Sequence, residues 1–437
     1  MFEWEHGSLG ELAYGVRGVS YTPNQLQSFM SPETVILLRS NNIRGGKVNF
    51  ENIQLIPSHI VSKDQLAQHK DIAVCMSNGS KALVGKSGRI ERKEAPCTVG
   101  AFCSIFRPLP HADGKFVSYL LQSNAYRRHL DIILAGSAIN NLKNSDVEAF
   151  PLEIPPKEEQ RLIAHILDTL DTQIQKTEAL IAKLEKVKEG LLHDLLTRGI
   201  DEHGQLRPSP EQAPALYKGS RLGLIPREWE CIAIDEMAIS TTLGTANRGA
   251  ESSSKIKLIK MGNLNWENTL SLANIENISA SKVQKNLFLH DADLLFNTRN
   301  TPELVGKTCS WKGEGSLFTF DNNILRIRFS EIANGHFVAT YMGASLGKKR
   351  IGQLATGTTS VAAIYWRSLA KLEIPMPNPR EQQRIMKKVS SAQNNVDILN
   401  DNLTSLYRFK SGIMDDLLTG RVRVTPLLEK VQATTPA

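Results

Sequence analysis

The sequence contains two long segments with the same seven-residue hydrophobic period, placed 222 residues apart. At ten positions spaced alternately by four and three residues, eight are apolar in the first segment and nine in the second. A lysine, Lys188 or Lys410, stands at the same place in both. This period predicts two helices that each bury a narrow coiled-coil seam. The predicted seam residues are Ile163, Leu167, Leu170, Ile174, Ile181, Leu184, Leu191, Ile385, Val389, Val396, Leu399, Leu403, Leu406 and Ile413.

The two predicted helices begin and end with the same short motifs. Each follows Leu-Glu-Ile-Pro and then Glu-Gln, and each ends in Asp-Leu-Leu-Thr with a glycine just beyond. Leu-Glu-Ile-Pro lies at 152–155 and 372–375, and Glu-Gln lies at 159–160 and 381–382. Asp-Leu-Leu-Thr lies at 194–197 and 416–419, and the glycines are Gly199 and Gly420. Proline suits a helix entrance and glycine suits the position after its end. About forty residues at ~1.5 Å per residue give a rod of roughly 60 Å, long enough to act as a spacer.

The repeat also includes the segments before each helix. An offset of 221 takes Arg39 and Asn42 to Lys260 and Asn263, and takes Val-Gly-Lys-Ser at 84–87 to Val-Gly-Lys-Thr at 305–308. The chain therefore reads as a tandem duplication of one unit, a globular domain followed by a long helix, with pseudo-twofold internal symmetry. The period is too long for a solenoid of short repeats.

The expected fold class is α+β, with two mixed α/β domains in tandem and a pair of long helices. The expected boundaries are 1–150 for the first domain, 151–199 for the first long helix, 200–222 for a polar linker, 223–371 for the second domain, 372–421 for the second long helix and 422–437 for a loose tail. Short apolar runs predict strands at 35–39, 71–76, 256–261, 293–297 and 323–329, and longer periodic runs predict helices at 116–134 and 336–354.

Composition narrows the class of partner. The net charge is +7, from 52 basic and 45 acidic residues, and the isoelectric point near 9.0 favours a polyanionic partner. The five cysteines form no C-x-x-C pair and their number is odd, as is typical of a reducing cytosol. We find neither a signal peptide nor a run of ~18 apolar residues, so a cytoplasmic protein without a membrane role is expected.

Catalytic and cofactor motifs do not emerge from the sequence. The stretch from Gly79 to Ser87 resembles a P-loop, but five residues separate its glycines where a phosphate-binding loop has four. The ten histidines are scattered, without zinc-ligand spacing, and neither a G-x-S-x-G elbow nor the Asn-Pro-Pro-aromatic tetrad of amino-methyltransferases occurs. We therefore expect a binding protein that holds no metal and no cofactor of its own.

Two basic domains on a spacer suggest duplex DNA, whose successive major-groove faces recur every ~34 Å. Arginine can bind guanine, asparagine can bind adenine, and lysine mostly contacts phosphate. The candidate DNA-binding residues near presumed loop tips are Arg39, Asn41, Asn42, Arg44, Lys47, Asn78, Lys81, Lys86, Lys257, Lys260, Asn263, Asn297, Arg299, Asn300 and Lys307. For each of these, a solvated surface side chain is the competing interpretation.

In order and duplication, these motifs resemble the specificity subunit of type I restriction-modification systems. The segment Gly223 to Glu230 matches the usual opening of that family's domains, whereas the first domain opens with only Phe2 to Glu5. The resemblance implies two target recognition domains, each reading one half of an asymmetric, bipartite DNA sequence. It also implies an antiparallel coiled coil whose length sets the unread spacer.

The same resemblance implies partners. Two methyltransferase subunits would bind S-adenosylmethionine and methylate adenine, and two motor-nuclease (restriction) subunits would use ATP and Mg²⁺. The chain itself would be a non-catalytic reader of double-stranded DNA. Two alternatives stay open: a cytosolic coiled-coil scaffold whose charge only aids solubility, and a stand-alone DNA-modifying enzyme.

Overall fold

The computed structural model describes residues 4–91, 95–135, 140–249, 255–313, 317–358, 360–427 and residue 429. The chain divides into two compact units, Met1–Ala179 with Asn400–Ala437, and Leu180–Leu399. Each unit therefore combines one globular region with the start of one long helix and the end of the other. The units do not follow the simple succession of domain and helix along the chain, because both long helices contribute to both units.

The first unit contains eleven strands and four helices among its described residues, the last helix continuing into the second unit. The strands are β1 (Glu5–Ser8), β2 (Ala13–Arg17), β3 (Thr34–Leu38), β4 (Ile43–Arg44), β5 (Gly46–Val48), β6 (Gln54–Pro57), β7 (Ile72–Cys75), β8 (Ser87–Arg89), β9 (Cys97–Val99), β10 (Cys103–Pro108) and β11 (Pro151–Ile154). The helices are α1 (Gly114–Leu120), α2 (Asn124–Ala135), α3 (Asn144–Glu148) and α4 (Lys157–Thr197).

Two sheets face each other in the first unit. One has the strand order β2-β10-β7-β8-β5-β4, and the other has the order β6-β3-β9 with β3 parallel to β9. Alternate residues of β7 point to opposite faces. Ile72 and Val74 pack in the core that contains Phe116 of α1, whereas Ala73 and Cys75 pack in the core that contains residues of β3 and β9. The unit thus has three layers, with helices on one side of the larger sheet and the smaller sheet on the other.

The second unit uses the same arrangement, but its larger sheet has four strands instead of six. Its strands are β12 (Tyr217–Ser220), β13 (Gly223–Pro226), β14 (Glu230–Ala233), β15 (Ala238–Leu243), β16 (Ile256–Ile259), β17 (Glu276–Ile278), β18 (Leu294–Asn297), β19 (Arg299–Asn300), β20 (Thr308–Ser310), β21 (Phe318–Phe320), β22 (Ile324–Phe329), β23 (Thr356–Gly357), β24 (Ala362–Ala363) and β25 (Glu373–Met376). Its helices are α5 (Ile234–Met237), α6 (Gly335–Gly343), α7 (Ser345–Gly352), α8 (Trp366–Leu369) and α9 (Pro379–Leu418).

The central strand of the second unit also divides two cores. The larger sheet has the order β15-β22-β18-β20, and β16 lies between β17 and its parallel neighbour β21. In β18, Leu294 and Phe296 pack in the core that contains Phe337 of α6, whereas Leu295 packs in the core that contains Ile259 and Phe320. Near-continuous apolar runs are expected where both faces of a strand are covered.

Most of the predicted elements lie where the sequence places them, with one systematic difference. The five predicted strands correspond to β3, β7, β16, β18 and β22. Each predicted globular helix is instead divided into two helices, α1 and α2 in the first unit and α6 and α7 in the second. Ser123 explains the first break, because its Oγ donates to Leu120 O at 2.8 Å and accepts from Tyr126 N at 3.1 Å. A serine that binds backbone groups in this way starts a new helix.

The glutamine of the Glu-Gln pair at the start of each long helix has a structural role. Gln160 accepts a hydrogen bond from Asp113 N at 2.9 Å and donates to Pro155 O at 2.9 Å. Gln382 accepts from Asn334 N at 2.7 Å and donates to Pro377 O at 2.7 Å. Asp113 and Asn334 are the N-cap residues of α1 and α6. The glutamine therefore joins the first turn of the long helix to the first turn of a globular helix.

The glutamate of the same motif binds the chain that follows the end of the other long helix. In the first unit, Glu159 accepts from Trp4 Nε1 at 3.2 Å and from Arg423 Nη2 at 2.7 Å. In the second unit, Glu381 accepts from Trp229 Nε1 at 3.2 Å, from Ile200 N at 2.9 Å and from the guanidinium of Arg207. Arg423 follows the end of α9, and Arg207 follows the end of α4. In each unit, the start of one long helix is therefore tied to the chain just beyond the end of the other.

Glycine allows the chain to turn at these helix ends. Gly199 and Gly420 have φ values of 64° and 71°, in the left-handed region that favours glycine. A Cβ on Gly199 would lie 2.5 Å from Trp229, and one on Gly420 would lie 2.9 Å from Trp4. The glycine predicted from sequence as a helix stop thus also makes room for the indole that binds the glutamate.

Contacts between α4 and α9 occur at corresponding positions in the two units. Lys410 Nζ donates to Asp171 Oδ1 at 2.5 Å in the first unit, and Lys188 Nζ donates to Gln393 Oε1 at 3.0 Å in the second. Asp171 and Gln393 are themselves 222 residues apart. All the predicted seam side chains are buried or half-buried, whereas the apolar side chain of Val187, which is not among them, is exposed.

The first unit adds a charged cluster that the second lacks at the corresponding positions. Asp168 on α4 accepts from Arg89 Nη1 at 2.8 Å, from Tyr119 Oη at 2.6 Å and from Lys115. Burial opposes ionisation of this carboxyl, but the hydrogen bonds from Lys115, Tyr119 and Arg89 outweigh it and lower the pKa of Asp168 to about 2. An offset of 222 takes Asp168 to Ser390, so the second globular region is joined to its helix without this carboxylate.

We predict that Glu381→Ala lowers the free energy of unfolding by about 3–5 kcal/mol, because it leaves the guanidinium of Arg207 without its buried partner. Glu159→Ala should cost less, since the side chain of Arg423 is 29% exposed, against 10% for Arg207, and water can replace part of the interaction. Urea unfolding curves of both variants and of the parent chain measure the difference. Equal shifts, or none for Glu381→Ala, would contradict the prediction.

Candidate nucleic-acid interface

In the first unit, several strand ends meet at one edge of the two sheets. Gly100 N donates to Leu38 O at 2.9 Å, which joins the turn after β9 to the end of β3. Met76 N donates to Phe102 O at 2.8 Å, which joins the same turn to the end of β7. The side chains carried by this edge, which we name the first tip, are Arg39, Asn78, Lys81, Lys86, Phe102 and Asn140.

Backbone hydrogen bonds also bring the remaining segments to the first tip. Cys75 N donates to Lys86 O at 2.9 Å, and Asn78 N donates to Asn140 O at 3.4 Å. Lys81 begins the single 3-10 turn Lys81–Leu83 between them. The first tip therefore combines four chain segments that are far apart in sequence, and it presents amide and basic side chains together.

The second unit has the same edge. Asp321 N donates to Ile259 O at 2.9 Å, and Thr298 N donates to Asn323 O at 2.9 Å. Asn297 N donates to Lys307 O at 2.8 Å, which adds the segment before β20. The side chains carried by this edge, which we name the second tip, are Arg248, Lys260, Arg299, Asn300, Lys307 and Asn322.

The candidate DNA-binding residues fall into three groups by exposure. The exposed ones are Asn41, Arg44, Lys81 and Arg299. The half-buried ones are Arg39, Lys47, Asn78, Lys86, Lys257, Lys260, Asn300 and Lys307. The buried ones are Asn42, Asn263 and Asn297.

The three buried asparagines bind backbone groups of the framework. Asn42 accepts from Arg39 N at 2.9 Å and donates to Glu51 O at 2.9 Å. Asn263 accepts from Lys260 N at 2.7 Å and donates to Ser271 O at 2.9 Å. Asn297, in β18, has an exposed fraction of 0% and accepts from Arg299 N. The amides of Asn42 and Asn263 close loops, whereas Asn297 uses its Oδ1 and its buried Nδ2 has no hydrogen-bond partner among the described residues.

Two candidates in the first unit lie on a hairpin beside β8. Arg44 and Lys47 belong to the β4–β5 hairpin, which turns through Gly45 with a φ of 54°. In the sheet, Lys47 pairs with Arg89 of β8, and its Nζ lies 3.8 Å from Glu91 Oε2. Arg44 is exposed on this hairpin.

Two lysines of the second unit already bind acidic or amide side chains. Lys257 Nζ donates to Asn277 Oδ1 at 2.9 Å, and Lys260 Nζ forms an ion pair with Glu276. Both contacts join β16 to β17. A phosphate would have to replace these partners, whereas Arg299 is exposed and better placed to accept a new one.

The structure also places at the tips four residues that the sequence analysis did not single out, Arg248, Asn140, Asn322 and Phe102. Arg248 is exposed, and its Nη2 lies 3.5 Å from Asp321 Oδ2 and from Asn322 Oδ1, so it is held at the second tip. No local motif marks these residues, because each reaches its tip through contacts with segments distant in sequence. Phe102 was missed for a further reason, namely that a single apolar residue carries no charge signal.

A buried thiol pair lies directly behind the first tip. Cys75 and Cys103 are opposite each other in the β7–β10 register. The hydrogen bond with Cys103 lowers the pKa of Cys75 to about 7 despite burial, and the positive charge of Lys86 adds to the effect. The same hydrogen bond and burial raise the pKa of Cys103. Both side chains are buried, so this pair belongs to the core that supports the tip.

Metal-binding clusters and membrane-spanning helices were sought among the described residues. In the described ranges, His, Cys, Asp and Glu side chains form no group that could hold a metal ion. None of the helices in the same ranges combines the length and apolar character needed to cross a membrane. What the two tips provide is guanidinium, ammonium and amide groups, which bind phosphates and base edges.

We predict that Asn42→Ala and Asn263→Ala each lower the free energy of unfolding by about 1–3 kcal/mol, because each leaves buried backbone groups without a partner. Asn41→Ala is the matched control and should change it by less than about 0.5 kcal/mol, since Asn41 is exposed. Urea unfolding curves check both. If Asn41→Ala destabilised the chain as much as Asn42→Ala, the framework assignment would fail.

Comparison with known proteins agrees with this geometry. Residues 3–186 match the family model described as the type I restriction modification DNA specificity domain. The StySPI specificity subunit of Salmonella potsdam is 23% identical over 98% of this chain and 95% of its own length. The EcoKI specificity subunit of Escherichia coli strain K12 is 23% identical over 96% of this chain and 92% of its own length.

A solved structure shares the fold. The type I restriction-modification system S subunit from M. genitalium superposes with a TM-score of 0.52 at 14% identity, over 95% of this chain and 96% of that one. Over nearly its whole length the chain is thus similar to specificity subunits of type I restriction enzymes, and residues 3–186 match the model of their DNA specificity domain.

Proposed function

We propose that this chain is the DNA sequence-recognition subunit of a type I restriction-modification complex and reads an asymmetric, bipartite target. The observation that carries the proposal is the presence, in each unit, of a tip built from the same strand ends but carrying different polar side chains. The first tip combines Arg39 with Asn78 and Asn140, whereas the second combines Arg248 and Arg299 with Asn322. Because arginine favours guanine and asparagine favours adenine, the two tips should read different half-sites.

The long helices serve as the spacer in this proposal. A seven-residue period with buried or half-buried seam positions supports an antiparallel coiled coil of α4 and α9. The seam lysines Lys188 and Lys410 support one register, because each meets a polar residue at the corresponding position of the other helix. A polar residue at a seam position costs stability but disfavours shifted pairings. The internal repeat then supplies two recognition domains with pseudo-twofold symmetry, and the coiled coil is the spacer between them.

In this proposal, partner subunits carry out the methylation and cleavage reactions. We propose that two methyltransferase subunits, which bind S-adenosylmethionine, methylate adenine within the target. Two restriction subunits, which use ATP and Mg²⁺, complete the nuclease complex. The chain itself contributes sequence reading and assembly. The positive net charge of +7 supports its contact with double-stranded DNA.

Methylation mapping tests the function directly. Long-read sequencing would locate methylated adenines in a host that carries the neighbouring methyltransferase, with and without this chain. We expect a split motif with a fixed gap that disappears when this chain is removed. Unchanged methylation, with a methyltransferase shown to be active, would refute the proposal and favour the scaffold alternative.

A second arm of the same experiment tests the spacer. Removing one heptad from the middle of each long helix shortens each by about 10 Å and keeps the seam in phase. We expect the gap in the methylated motif to shorten by about three base pairs, at 3.4 Å per step, while both half-sites stay the same. An unchanged gap in an active variant would refute the role of the helices as a ruler.

We predict that Arg299→Ala weakens binding to the cognate duplex by about 1–3 kcal/mol and relaxes selectivity at one position of one half-site, because the guanidinium reads a base. Arg299→Lys should lose the same selectivity, since lysine cannot replace the bidentate geometry. Arg221→Ala is the matched control, because Arg221 is an exposed arginine outside the second tip. Fluorescence anisotropy with cognate and singly altered duplexes measures these effects.

The alternative outcome for Arg299 is a phosphate contact. In that case, affinity would fall uniformly across sequences and the slope of log affinity against log salt would become shallower by about one unit. That result would contradict base reading by Arg299, while the proposed function of the chain would stand.

A further inference from the structure

Phe102 is an aromatic side chain displayed at the first tip without an apolar cover. Its exposed fraction is 71%, among the highest of the large apolar side chains in the described residues. Leaving a phenylalanine in water forgoes the free energy that burial of its ring would provide. Single exposed apolar residues are common on protein surfaces, so exposure alone carries no argument. What distinguishes Phe102 is its position at the first tip and the rigid backbone that carries it.

The backbone that carries the ring is fixed on every side. Phe102 O accepts from Met76 N at 2.8 Å and from Ser77 N at 3.1 Å. Within the turn, Cys103 N donates to Gly100 O at 2.8 Å, and Gly100 N donates to Leu38 O. Phe102 is thus anchored to the ends of β3 and β7 rather than carried on a loose loop. A ligand that met the ring would meet it in a predetermined place.

The anchored ring is connected, along the chain and through backbone hydrogen bonds, to groups that can bind DNA. Ser77, which donates to Phe102 O, is followed by Asn78, and the Asn140 amide nitrogen lies 3.3 Å from Gly79 O. Lys81 and Lys86 belong to the same tip. An apolar ring next to amides and ammonium groups matches a base, which has apolar faces and polar edges beside a phosphate backbone. A protein partner would favour a wider apolar patch.

The second tip shows that the side chain at this turn is variable while the backbone contact is kept. An offset of 221 takes Phe102 to Asn323, whose carbonyl accepts from Thr298 N at 2.9 Å. The same hydrogen bond therefore closes the same edge in both units with different side chains. Sequence readers that share a framework are expected to differ at such positions.

We propose that Phe102 is a specificity-determining residue that packs its ring against a base of the first unit's half-site. This inference rests on the proposed function and adds an uncharged contact to the polar ones. Apolar side chains recognise the 5-methyl group of thymine in the major groove or insert between base steps in the minor groove. Both contacts use the same apolar ring, and both leave the phosphates untouched.

The test compares Phe102→Ala with Phe29→Ala in the full chain. Phe29 belongs to the same unit, lies outside the first tip and has an exposed fraction of 73%. We expect Phe102→Ala to weaken binding to the cognate duplex by about tenfold, to lose discrimination in one half-site only, and to keep the parent's salt dependence. Phe29→Ala should bind as the parent does. Phe102→Leu, which keeps an apolar side chain, should recover part of the loss.

Two modified duplexes then identify the base contact. Replacing a thymine of the half-site by uracil removes its methyl group, and a weakened parent with an unaffected Phe102→Ala variant would assign the methyl contact. A change in 2-aminopurine fluorescence on binding of the parent but not of the variant would assign insertion between bases. Either result supports the proposal, and the absence of both would overturn it.

Failure of this inference differs from failure of the proposed function. If the parent chain discriminates between duplexes and Phe102→Ala discriminates equally well, or loses affinity for all duplexes alike, the inference alone is wrong. If the parent chain itself shows no preference among duplexes, the proposed function is wrong and the inference falls with it. Unfolding curves of Phe102→Ala should match those of the parent, because the ring is exposed.

Discussion

A buried carboxylate at the start of each long helix is the interaction on which both units depend. Glu159 and Glu381 each bind a tryptophan indole and an arginine that follows the end of the other long helix. A charge removed from water is tolerated only when it is paired and hydrogen-bonded. The carboxylate therefore disfavours any arrangement in which the two helix ends separate, and it orders the globular opening around Trp4 or Trp229 as well.

The adjacent glutamine extends this constraint to the globular regions. Gln160 and Gln382 hold the N-cap residues of α1 and α6, and these helices pack on the larger sheets. A change at a helix start would thus reach the sheet whose strand ends form the tips. In the first unit, the charged cluster around Asp168 adds a further tie between α4 and the globular region. The second unit relies on apolar packing of α9 instead.

The tips separate framework from reading surface within a few residues. Asn42 and Asn263 close loops with their amides, whereas Asn41 beside one of them is exposed. Neighbouring polar residues of the same type can therefore have opposite roles. The loop that needs a buried amide keeps its asparagine whatever DNA it faces, while residues such as Phe102 are free to differ between the two units.

The sequence by itself determined the two long helices and their ends, because helical periodicity and end motifs are local properties, and both recur 222 residues apart. Only the tertiary structure decided which arginine meets each glutamate, which asparagines are buried and which segments form a tip. Those outcomes depend on sheet register and on contacts between residues far apart in the chain, such as Arg207 with Glu381 and Leu38 with Gly100. Local patterns do not encode these distances, so the sequence analysis placed three buried asparagines among its candidates and did not single out Phe102.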